Sequence, residues 1–127
     1  MRNYIQEVRY FNCRRNVPVV GKNCVLVNVL LDGAAQITIG DWVFFGHDCM
    51  VLTGAHDYNL RGEARQHSAE YKPITIKNGA WIASGSIILG GITIGENAVI
   101  GAGSVVTHDV PDNEVWCGNP AKFVKKI

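Results

Sequence analysis

Residues 74 to 106 read ITIKNGAWIASGSIILGGITIGENAVIGAGSVV. Within this stretch Ile76, Ile82, Ile88, Ile94, Ile100 and Val106 stand six residues apart, and the same beat occurs upstream in Ile39, Phe45 and Val51. Val, Ile, Leu, Met and Phe fill 39 of the 127 positions, so nine such residues at nine fixed places mark a true period. A helical face repeats on 3.6 residues and a flat strand on two; a beat of six suits a chain that turns a corner after each short strand. Four residues after each of these come Val43, Cys49, Ala55, Ala80, Ser86, Ile92, Ala98, Ser104 and Val110, mostly small groups able to turn inward without overfilling a narrow interior. Gly40, Gly46, Ala83, Gly95 and Gly101 follow the periodic residue directly, which suits a corner where a Cβ would crowd or φ is positive.

Three such segments close one triangular coil, and successive coils stack as parallel strands about 4.8 Å apart. The expected fold is therefore all-β, a parallel β-solenoid of roughly five coils counted from Val20. Residues 1–19 are expected to cap one end, residues 20–111 to form the solenoid, and residues 112–127 to form a tail at the other end, since raw strand edges invite pairing. Two breaks interrupt the beat. The step from Leu26 to Ile39 is one residue too long, which predicts a bulged corner at Asp32 and Gly33. Between Val51 and Ile76 lies the polar stretch YNLRGEARQHSAEY, residues 58–71, which predicts an extruded loop over residues 57–72. Solenoid packing has no need of such a loop, so it is a functional candidate.

Composition agrees. Val and Ile number 27 against 6 Leu, a bias toward residues that pack on pleated surfaces. A chain of this mass folds to an accessible area of about 6,700 Å², enough for one core and no second domain. The net charge of +1 argues against a nonspecific nucleic-acid binder. No apolar run reaches membrane-spanning length, and Arg2, Glu7 and Arg9 interrupt the start where a secretory signal needs an apolar core. A soluble, cytoplasmic protein without a membrane partner is expected. Cys13, Cys24, Cys49 and Cys117 show no CxxC spacing, so reduced, mostly buried thiols are expected.

The six-residue register, TGAH at residues 53–56, KPITI at 72–76, WIASGS at 81–86, ITIGENAVIGAGSVVTHDVP at 92–111 and GNPAKFVKKI at 118–127 resemble the hexapeptide-repeat acyltransferases. The likeness is greatest to the maltose and galactoside O-acetyltransferases and related polysaccharide O-acetyltransferases. It implies a left-handed β-helix, a homotrimer with sites between subunits, acetyl-CoA as donor, a sugar or glycan hydroxyl as acceptor, and no metal.

By the same resemblance His56 is the catalytic histidine, taking the proton of the attacking hydroxyl. The Ala83 to Ser84 backbone is the implied donor to the oxygen that becomes negative, with Trp81 beside the thioester; Trp81 equally suits a cover for a coil corner. Gly101, Ala102 and Thr107 match positions lining the pantetheine arm, and the glycine and alanine also suit turns. Lys122 and Lys125 match cations expected to meet the phosphates of CoA, although lysine lacks the bidentate fork of arginine. On the acceptor side Asn28 and Asp32 fall near hydroxyl-binding positions, with Asx corner capping as the alternative. Asp57 suits either orientation of His56 or a sugar hydroxyl.

Other functions fit parts of the pattern. N-acetylation of an amino sugar, free or nucleotide-linked, uses the same fold. A zinc carbonic anhydrase on this solenoid requires three converging histidines, and only His47 and His56 lie in one coil. A noncatalytic solenoid would bind no CoA.

Overall fold

The computed structural model describes residues 2–127; Met1, the first residue of the expected N-terminal cap, lies outside them. The chain winds as five parallel coils. The first holds β1 (Tyr4–Gln6), β2 (Arg9–Phe11) and β3 (Val19–Val20). The second holds β4 (Val25–Val27), β5 (Leu30–Asp32) and β6 (Ile37–Ile39). The third holds β7 (Phe44–His47) and β8 (Met50–Leu52), leaves the prism through β9 (Gly54–Ala55), a short helix α1 (Gly62–Gln66) and β10 (Glu70–Tyr71), and returns at β11 (Ile74–Ile76). The fourth holds β12 (Trp81–Ile82), β13 (Ile87–Ile88) and β14 (Thr93–Ile94); the fifth holds β15 (Val99–Ile100) and β16 (Val105–Val106) and closes through a bridge between Ile94 and Val110. A hairpin of β17 (Glu114–Gly118) and β18 (Ala121–Lys126) ends the chain.

These strands make three faces of a left-handed β-helix. Face one stacks β1, β4, β7, β12, β15 and β17, with β18 antiparallel at its edge. Face two stacks β2, β5, β8, β13 and β16, and face three stacks β3, β6, β11 and β14. Residues 4–20, set apart from the solenoid in the sequence reading, wind as a coil of the same kind, because β1, β2 and β3 each pair in parallel with a strand of the second coil.

All nine residues of the six-beat row point inward and are buried. Eight of the nine small positions four residues later are buried as well. Ala55 is the exception: the coil is abandoned at Gly54 to begin the loop, and Thr53 fills the interior place instead. Its hydroxyl donates to the Asp32 carbonyl at 2.8 Å and accepts from the Ala35 amide at 3.0 Å, which satisfies the buried oxygen. Inward Ser86 and Ser104 are likewise satisfied, both hydroxyls donating to the Gly101 carbonyl.

Glycine after the periodic residue answers crowding. A Cβ on Gly46 would lie 2.5 Å from the Ser84 amide nitrogen in the coil above. Positive φ falls just beyond, at Glu7, Asn28, Asp48, Gly85 and Gly103, one residue per coil in a single left-handed corner row. The long step between Leu26 and Ile39 has two parts. The corner from Leu26 to Leu31 spans five residues, one fewer than from Ile82 to Ile88, and Leu31 to Ile39 spans eight, two more than from Ile88 to Ile94. The extra residues lie at 33–36, beside the predicted bulge.

Cys24 and Cys49 are buried inside the prism, where burial pushes both thiols up from their ordinary pKa. Cys13 is half-buried and Cys117 exposed, and all four are free thiols.

Candidate active site

His56 follows β9 at the base of the loop. The neck of that loop is a two-residue antiparallel pair, Gly54 with Tyr71 and Ala55 with Glu70, so the histidine is held at the prism wall although the loop beyond it projects. Its Nδ1 lies 3.0 Å from the Arg65 carbonyl oxygen. A carbonyl only accepts, so Nδ1 carries a proton, and in the neutral ring the lone pair falls on Nε2. Arg65 is the organiser of the loop: its guanidinium donates to the carbonyls of Leu60 at 2.7 Å and Tyr58 at 3.2 Å, and its own carbonyl also accepts from the Ser68 hydroxyl at 2.7 Å. Asp57, expected either to orient His56 or to bind substrate, accepts from the Asn59 amide at 2.9 Å in an Asx turn. The ring is thus oriented by a backbone oxygen nine residues away.

At the corner between faces two and three, Thr53, Gly54, Ala55, Glu70, Lys72, Leu89, Gly90 and Thr107 line a cavity of about 240 Å³ that reaches the residue before His56. Thr107 is the member of this set singled out from sequence; Leu89 and Gly90 were missed because nothing in their local sequence separates them from other corner residues. A second cavity, of about 270 Å³, opens at the corner between faces one and two, and its walls include Trp81, Ala83, Ser84 and Ala102 together with His47 and Phe44. Ser84 Oγ accepts from the His47 amide at 2.9 Å, which leaves its own proton directed elsewhere. Trp81 is half exposed and tilts against Phe44 with ring centroids 6.1 Å apart.

The structure therefore sorts the expected site residues onto two corners separated by the width of face two. His56 and Thr107 sit at one corner, and Trp81, Ala83, Ser84 and Ala102 at the other. Asn28 lies two residues before β5 and Asp32 is its last residue, so the two are divided in the same way. Asn28 has positive φ and donates from its side-chain amide to the Asp48 carboxylate, a corner contact. Asp32 lies at the His56 side, near Gly54. Gly101 packs against Cys117, where a Cβ would come within 2.6 Å of the Cys117 Cβ. Lys122 and Lys125 are exposed on β18, at the far end of face one, and border neither cavity. Among the described residues no group of three or more His, Cys, Asp or Glu is placed to hold a metal, and His47 and His56 occupy different corners.

Two faces carry apolar outward rows. On face one Val25, Phe44, Trp81, Val99 and Val115 align in register, and on face two Leu30, Met50, Ile87 and Val105 do so. The matching row of face three is Thr38, Thr75 and Thr93.

Known proteins share this architecture. Residues 73–108 match the bacterial transferase hexapeptide (six repeats) family. The chain superposes on a maltose O-acetyltransferase from Clostridium difficile 630 with a TM-score of 0.85 and 35% identity, covering 99% of this chain and 67% of that one. The chain belongs to the hexapeptide-repeat acyltransferases. A family member from Vibrio cholerae O1 biovar eltor, a hexapeptide-repeat acetyltransferase complexed with acetyl coenzyme A, superposes with a TM-score of 0.89 at 29% identity over 98% of this chain and 68% of that one. The galactoside O-acetyltransferase of Escherichia coli K12 is 34% identical over 125 residues, 98% of this chain and 61% of that protein. This hexapeptide-repeat chain spans about half the length of several curated relatives it matches.

Proposed function

We propose that this chain transfers the acetyl group of acetyl-CoA to a hydroxyl of a sugar or glycan, as a homotrimer whose sites form where the His56 corner of one copy meets the Ala83–Ser84 corner of the next. The observation that supports the reading is the 3.0 Å contact from His56 Nδ1 to the Arg65 carbonyl, which in the neutral ring leaves Nε2 free to take a proton. Relatives named as sugar O-acetyltransferases and a neighbour holding acetyl coenzyme A support the choice of substrates.

Thioesters are reactive enough for direct attack, so positioning the two substrates and one base supplies much of the rate. His56 Nε2 takes the proton from the acceptor hydroxyl as its oxygen attacks the carbonyl carbon. The Ala83 to Ser84 backbone stabilises the oxygen that becomes negative. The carbon–sulfur bond then breaks, and the proton on Nε2 passes to the departing sulfur, which restores the neutral ring. Ala102 and Thr107 flank the slender arm of the donor with small or backbone-exposing groups. Lys122 and Lys125 meet its phosphates as point charges. Asp32 accepts from acceptor hydroxyls.

The two-corner arrangement supports assembly, since one chain leaves these groups a face-width apart and offers apolar rows on the two faces that would join. Free thiol release from acetyl-CoA across a panel of sugars and amino sugars tests the reaction. His56→Ala is expected to keep the fold and oligomer and to lower transfer at least about 100-fold. Unchanged turnover in the variant would refute the role.

A further inference from the structure

The loop that follows His56 has no core of its own. Helix α1 buries none of its residues, and Tyr58 and Leu60, two of the loop's large apolar side chains, stand 81% and 39% exposed. From residue 58 to residue 73 one residue alone is withdrawn from solvent, and it is Ser68. A loop without buried apolar contacts is shaped by its polar ones, so what this hydroxyl holds decides where the neighbouring groups lie.

Ser68 Oγ accepts from the Asp57 amide at 2.9 Å and donates to the Arg65 carbonyl at 2.7 Å, and the Ser68 amide donates to the same carbonyl at 3.1 Å. The direction of each bond is forced, because an amide N–H only donates and a carbonyl only accepts. The Arg65 carbonyl is also the group that meets His56 Nδ1 at 3.0 Å. The bonds therefore close a circuit, from the amide directly after His56, through the Ser68 hydroxyl, to the carbonyl that holds the ring of His56 itself. Ring and backbone of one residue are tied to each other through a single hydroxyl. The neighbouring carboxylate does not share the task, since Asp57 Oδ1 accepts from the Asn59 amide. Nor does the Arg65 side chain, whose guanidinium turns to the carbonyls of Leu60 and Tyr58.

We propose that Ser68 is a positioning residue for the His56 base. Its hydroxyl holds the Arg65 carbonyl on Nδ1, and the proton that the carbonyl demands there keeps the neutral ring's lone pair on Nε2. Without the hydroxyl, a carbonyl near the end of a five-residue helix is free to turn to water, and the ring is free to exchange its tautomer or rotate. The inference deepens the acetyltransferase reading and rests on it, since the orientation matters to catalysis only if His56 takes a proton. Ser68 lines neither the Thr107 cavity nor the Ala83–Ser84 cavity, so its loss is expected to reach the proton transfer and to spare donor binding.

The test compares the full chain with Ser68→Ala and with Ser68→Thr, which keeps a hydroxyl. Thiol release from acetyl-CoA with the best acceptor of the sugar panel is expected to show kcat about tenfold lower in Ser68→Ala, KM for acetyl-CoA changed less than about twofold, and most of the rate regained in Ser68→Thr. Proton–nitrogen NMR of the imidazoles in alkaline buffer, where an ordinary imidazole is neutral, reads the tautomer directly, with His56→Ala assigning the signal. The parent is expected in the Nδ1–H form and Ser68→Ala in a mixture of both forms. A purely structural serine would lower the midpoint in urea and leave the tautomer of the folded chain unchanged. An Nδ1–H ring in Ser68→Ala, an Nε2–H ring in the parent, or a KM that moves as much as kcat would overturn the inference. The tautomer is read without any acceptor, so a parent that releases no thiol counts against the acetyltransferase reading alone.

Discussion

At the scale of single residues, the proposed role of His56 depends on Arg65, whose backbone carbonyl meets the ring while its side chain fastens the loop to Leu60 and Tyr58. Arg65→Ala is expected to loosen that fastening and lower kcat about tenfold, with KM for acetyl-CoA changed less than about twofold. Adding Arg65→Ala to His56→Ala should cost nothing further, because both act on one proton transfer; additive losses would separate them. The histidine was legible in the sequence through TGAH and the loop after it. Arg65 was not, since a carbonyl contributes no side-chain signature, and the choice between two roles for Asp57 depended on where a nine-residue excursion returns.

Among elements, the six-residue beat made the coils legible because each buried position repeats the same packing problem. Gly46 shows how tight that packing is. Gly46→Ala would push a methyl into the backbone of Ser84, and a loss of about 2 kcal/mol, seen as a lower midpoint in urea without a change in slope, is expected. A variant as stable as the parent would contradict the close approach. Less was legible at the ends. Residues 4–20 keep the coil with uneven steps, five from Ile5 to Tyr10 and ten from Tyr10 to Val20, that hide the period. The lysines of β18 matched family positions, yet one chain leaves them remote from both cavities. Lys122→Ala with Lys125→Ala is expected to raise the apparent constant for CoA more than that for dephospho-CoA; equal changes would remove the phosphate contact.

For the whole molecule, the exposed area of 7397 Å² exceeds the roughly 6,700 Å² expected of a chain this size. Part of that surface is the pair of apolar rows on faces one and two, whereas face three carries threonines, so two faces are suited to meeting copies of themselves. Periodicity revealed which residues point inward; in the proposed assembly, which outward rows are covered depends on a neighbouring copy, and a single sequence does not encode that as a repeat. The division of the site between two corners gives the decisive measurement: acetyl transfer by mixed oligomers of His56→Ala chains and Ala102→Trp chains, the second of which fills the other corner. Each variant alone is expected to be nearly inactive, and refolding them together in equal amounts to restore about a quarter of wild-type turnover per site, since a base from one copy then meets an intact corner from another. A mixture no more active than its components would contradict a site shared between copies.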